Sequence, residues 1–360
     1  SALLELEDKH EESGFKDIRS YIYDNITGGK ASYLKMINNA ETALNINDKI
    51  YKGVQLRREQ LEADLKFRQD IRDSLDHQEE KTNRQVGILV ENLVAAYDRT
   101  TQRKGNELKD GIGFLSMIKR SIQSTFAGGE SPKDWLNNLT KELESDLNRE
   151  FKDKLQDGVM DIADSIQTMG KLIDAKIKNS ETILKNNHEI FSDIAERRAN
   201  VLQDLQKTFA GFLKRSENFY DKELMQGGEK IGPNLAAGSG IAVVGIIITT
   251  MTQTAVVDIT GGILTTIGLI FAGVTIGLNR SKIINAYQKE VDKGREKIEA
   301  EISTKLNNYT AKIKTKINDN FYRFDNLLKE ETATIEQLES EFERIKTEIS
   351  QVKTELHKLT

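Results

Sequence analysis

Chemistry in this chain has to come from histidines, carboxylates, lysines or a phosphate-cradling glycine loop, because its 360 residues include no cysteine. The four histidines, His10, His77, His188 and His357, lie far apart with no i,i+4 partner. Neither a paired-histidine metal site nor a histidine-centred triad is expected. Thr27-Gly28-Gly29-Lys30-Ala31-Ser32 is superficially like a phosphate loop. The pattern G-x-x-x-x-G-K-[ST] needs glycine where Asp24 stands and a hydroxyl where Ala31 follows the lysine, so this stretch reads as a hinge. The carboxylates alternate with Lys and Arg at helical spacing and read as solvated faces. Trp135, just after a helix start, reads as a packing anchor. No catalytic, cofactor-binding or metal-ligating residue is assigned.

The strongest signal is a meeting with lipid. Between Ile231 and Asn279 the only charged residue is Asp258. Residues Leu235–Leu278 read as a hydrophobic hairpin with Asp258-Ile259-Thr260-Gly261-Gly262 as its turn and Asp258 as the turn's cap. Its membrane-inserting residues are Val243, Val244, Ile246, Ile247 and Ile248 in the first arm, and Ile263, Leu264, Ile267, Leu269, Ile270 and Phe271 in the second. A spanning helix needs about 20 apolar residues. The first arm reaches that length and the second is marginal, both diluted by Thr and Gly, so a dip into one leaflet fits as well as a crossing. Lys230, Arg280 and Lys282, with Lys222, stand at the hairpin base as anchors for lipid phosphates. The alternative is a helical hairpin buried in the protein's own core.

Long helices must position this hairpin. Two prolines in the whole chain favour uninterrupted helices, and an aromatic share of 6% argues against a large β domain. The expected class is all-α: an elongated helical bundle or coiled-coil stalk with a hydrophobic hairpin tip. From Ala31 to about Lys109, apolar residues recur at helical spacing: Leu34, Ile37, Leu44, Leu61, Leu65, Ile71, Leu75, Ile88, Leu89 and Leu93. One helix or two stacked helices there would span roughly 110 Å. Gly111-Ile112-Gly113 and Ala127-Gly128-Gly129 read as loops. Ser131, Pro132 and Asp134 then predict a helix start, opening a helical region over Trp135–Met225 that Gly227-Gly228 ends. Ile335, Leu338, Phe342, Ile345, Ile349, Val352, Leu356 and Leu359 alternate spacings of three and four. They form an a/d seam that needs a partner, either Ala31–Lys109 of the same molecule or a second chain. The expected divisions are 1–30, 31–130, 131–230, 231–279 and 280–360.

Net charge is −5 and the isoelectric point about 5.7, which excludes a basic nucleic-acid footprint. The start, Ser1-Ala2-Leu3-Leu4-Glu5, has neither the basic nor the apolar region of a signal peptide. It reads as the edge of a fragment cut from a longer chain.

Three stretches resemble the non-GTPase part of the bacterial dynamin-like proteins, the group related to mitofusins. Ser13-Gly14-Phe15-Lys16-Asp17-Ile18-Arg19-Ser20-Tyr21-Ile22 is similar to the segment after that family's GTPase domain, and Ala31–Ala43 to the start of its neck. Ala255-Val256-Val257-Asp258-Ile259-Thr260-Gly261-Gly262-Ile263-Leu264 is similar to its apolar paddle and leads, as there, into a long charged helix and a terminal coiled coil. The resemblance implies a missing GTPase domain upstream of Ser1 that holds GTP and Mg. It also implies a cytoplasmic protein at the inner face of the cell membrane, self-association or a related dynamin-like partner, and hinge motion passed to lipid. Its hinges would lie at Gly28 and Gly29, Gly111 and Gly113, Gly128 and Gly129, with Gly227 and Gly228 articulating the paddle. Two rivals share the same features: an all-helical pore-forming toxin component with an inserting hairpin, and a coiled-coil membrane tether.

Overall fold

The computed structural model describes residues 6, 14–27, 30–118, 132–180, 192–220, 240–254, 256, 257, 261 and 280–359. These residues are helical almost throughout, with no strand among them, so the protein is all-α. The helices are α1 (Phe15–Ile22), α2 (Lys30–Ile118), α3 (Pro132–Asn179), α4 (Ser192–Lys214), α5 (residues 244–254), α6 (Arg280–Lys297), α7 (Ser303–Asp319) and α8 (Tyr322–Leu359). Short 3-10 turns at Ser216–Asn218 and Gly240–Val243 flank α5's entry, and a π-helical turn, Ile298–Ile302, joins α6 to α7. The chain divides into two compact units. One holds residues 69–180 and 202–322, the other 1–68, 181–201 and 323–360.

In the first unit α2 runs antiparallel to α3 and to α6–α7. Tyr97 stacks on Phe151 of α3, while its hydroxyl donates to the Val291 carbonyl of α6 at 2.9 Å. Tyr287 returns the arrangement, donating to the Thr101 carbonyl at 2.8 Å. Lys104, buried in the same seam, donates to Glu142 at 2.6 Å and to Glu107 at 2.9 Å. Burial pulls its ammonium pKa down, but the hydrogen bonds it donates to Glu142 and Glu107 outweigh that and leave it raised. The π turn has a geometric reason. Val291, Ile298, Ile302, Leu306 and Tyr309 are all buried, and consecutive steps of four residues drift off one face of a 3.6-residue helix. A locally wider turn brings them back.

Helix α3 starts at Pro132 with Asp134 in its first turn, as the start signal predicts. Its stripe Leu136, Leu139, Leu143, Leu147 and Phe151 is buried throughout. The helical region expected over Trp135–Met225 is not helical to its end: α3 covers Pro132–Asn179 and α4 Ser192–Lys214, after which Arg215 is extended. Gly111-Ile112-Gly113 is likewise not a loop, since α2 runs through it to Ile118. A Cβ on Gly111 would overlap the Trp135 ring, and one on Gly113 would lie 3.2 Å from the Arg280 guanidinium. These glycines let two neighbours approach the helix, and packing there offsets a helix-propensity cost of about 1 kcal/mol each.

In the second unit the first part of α2 pairs antiparallel with α8. Arg58 grips Glu339 at 2.5 and 2.6 Å, Arg68 grips Asp325 at 2.6 and 2.9 Å, and Glu41 pairs with Lys353 at 2.7 Å. Tyr51 meets Phe342 and Phe67 meets Phe324 edge-on. Of the predicted a/d seam of α8, Ile335 and Leu356 are buried and Phe342 meets Tyr51 of α2, whereas Val352 is 50% exposed. Arg198 of α4 forks onto Asp64, which is 3% exposed. Leu34 and Leu65, expected in the α2 stripe, are 47% and 42% exposed, and in the first unit Ile88 is 58% exposed. Asp64 and Arg68 take the inward positions beside Leu65.

Candidate membrane-engaging segment

Gly240 is the first described residue of the apolar segment. A Cβ there would collide with the Arg215 carbonyl, so only glycine admits the chain at this point. A 3-10 turn, Gly240–Val243, runs into α5. One face is sealed: Val244, Ile247 and Ile248 have no exposure, Val243 has 3% and Met251 has 5%. The opposite face meets solvent at Ile246, 50% exposed, and at Val257, itself helical and 62% exposed.

The entry to α5 packs on α3 and the end of α4. A Cβ on Gly245 would stand 3.7 Å from that of Ala163, an ordinary contact. One on Gly170 of α3 would meet Leu213 at 3.0 Å and Ile241 at 3.5 Å. Small residues on both sides bring the helices close. Of the predicted inserting residues, Val243, Val244, Ile247 and Ile248 are buried together, and Ile246 faces outward. The described stretch of the first arm is buried on one side, and the second arm lies outside the described residues. Gly170, Ala163 and Gly245 escaped the sequence reading, although small residues inside apolar helices were the available signal.

Ile263, Leu264, Ile267, Leu269, Ile270, Phe271, Asp258 and Lys230 lie outside the described residues, as do the hinge glycines Gly28, Gly29, Gly128, Gly129, Gly227 and Gly228. Arg280 and Lys282 open α6 on its exposed side, with the Arg280 guanidinium donating to the Lys109 carbonyl at 2.8 Å. Among the described residues no helix is long and apolar enough to cross a membrane. Among those same residues no group of three or more His, Asp or Glu stands ready for a metal ion. Compared with known proteins, the chain matches no family model, no curated protein and no solved structure.

Proposed function

We propose that this chain is the membrane-binding and membrane-remodelling stalk of a dynamin-like large GTPase. In that reading, GTP and Mg act in a domain outside these residues. Hinge motion there passes through the paired long helices to a lipid-engaged paddle, and membranes bend, fuse or divide as stalks self-associate at the cytoplasmic face of the cell membrane. The observation that carries the reading is the 231–279 stretch, which holds a single charge amid two apolar arms and is framed by long charged helices. Arg280 and Lys282 supply cations at its base.

A second reading is favoured by the complete burial of Val244, Ile247 and Ile248. An all-helical pore-forming component also stores its inserting hairpin before contact with a target membrane. Co-sedimentation with anionic liposomes, run beside a dye-leakage assay, separates the two. Binding without leakage supports the dynamin-like stalk, and binding with leakage supports the pore former. Absence of binding contradicts both.

A further inference from the structure

Four threonines punctuate α5, and each settles its hydroxyl within the helix. Thr249 donates to the Gly245 carbonyl at 2.7 Å, Thr250 to Ile246 at 2.9 Å, Thr252 to Ile248 at 2.5 Å and Thr254 to Thr250 at 2.9 Å. Thr252 is 1% exposed, so it has little water to turn to, yet it needs no partner outside α5. The rest of the unit is tied crosswise instead. Tyr97, Tyr287 and Tyr309 each donate a hydroxyl to a carbonyl of another element, and Lys104 bridges α2 to α3. Separating those elements would strand buried polar groups at roughly 1–3 kcal/mol apiece.

Separating α5 from α3 strands none of these threonine hydroxyls. What is lost is the close approach of Gly245 to Ala163 and of Ile241 to Gly170, and with it the packing that keeps Val244, Ile247, Ile248 and Met251 buried. Lipid chains supply the same apolar surroundings as the protein, and in hydrocarbon every polar group must be satisfied internally.

We propose that the face of α5 now buried beside α3 meets lipid together with the exposed Ile246 face, so that α5 must leave α3 before the protein binds a membrane. This rests on the membrane reading above. The α3 surface around Ala163 and Gly170 then competes with lipid for α5 and holds the segment back until a membrane is near.

The chain lacks cysteine, which makes the test clean. In the full chain, Ala163→Cys with Gly245→Cys places two thiols on Cβ positions 3.7 Å apart, within the range a disulfide bridges. The oxidised double variant, its reduced form and the two single variants are each sedimented with vesicles of mixed zwitterionic and anionic phospholipid, after circular dichroism confirms the fold. The expected result is binding at least tenfold weaker when oxidised, restored by reductant, with both single variants like wild type. Equal binding by the oxidised and reduced forms overturns the undocking step alone. Failure of the reduced form and wild type to sediment removes the membrane reading, and this inference with it. Failure of the two cysteines to pair contradicts the docked arrangement of α5 and α3.

Discussion

Tyr97 and Tyr287 form a reciprocal clasp between α2 and α6, each hydroxyl reaching a backbone carbonyl of the other helix. Burial first, then neighbouring acidic charge (with Tyr287 also acting on Tyr97), pushes both phenol pKa values well above the ordinary tyrosine range. The sign follows directly. The unfolded chain gives up these protons near pH 10, whereas the folded chain holds them to higher pH. The clasp's contribution is therefore complete below about pH 10 and falls as pH rises beyond it. Tyr97→Phe leaves the Val291 carbonyl without its donor and is expected to cost roughly 1–2 kcal/mol at neutral pH. It is also expected to flatten the loss of stability between about pH 10 and 11. Urea denaturation of wild type and variant at the two pH values checks both, and an unchanged alkaline slope contradicts the assignment.

The same scale shows what the sequence withheld. Leu65 satisfies an apolar pattern and yet faces solvent, while Asp64 turns inward to Arg198 and Arg68 to Asp325. A stripe read from apolar residues alone misses ion pairs that fill seam positions. Such pairs reveal themselves only when the partner helix is in view, because a charge is tolerated in a seam when its partner sits opposite.

At the level of elements, the glycines of α2 divide into two kinds. Gly111 lies under the Trp135 ring, with no space for a Cβ, whereas nothing lies within 4 Å of a Cβ on Gly87. Gly87→Ala is expected to stabilise the protein by about 0.5–1 kcal/mol through helix propensity. Gly111→Ala is expected to destabilise it by about 1–3 kcal/mol through overpacking, with partial recovery when Trp135→Ala is added. Thermal or urea melts of the three proteins measure this, and stabilisation by Gly111→Ala would contradict the packing. The 3.6-residue rhythm made α2, α3 and α8 legible, and Pro132 marked where α3 begins. Gly111-Ile112-Gly113 misled as a loop because a glycine that admits a tryptophan ring looks, in sequence, like a glycine that turns the chain.

For the molecule as a whole, the apolar stretch was legible because 231–279 has one charge in a chain that is 30% charged. Its docking was not legible, since Ala163, Gly170 and Gly245 signal close approach only when their neighbours are known. Ile246 is 50% exposed on the outer side of α5, so Ile246→Cys gives a chain with one thiol that accepts an environment-sensitive fluorophore without entering the core. Addition of liposomes is expected to shift its emission to the blue, and quenchers placed on lipid chains are expected to dim it. Unchanged emission and no quenching at saturating lipid would contradict membrane engagement by this segment.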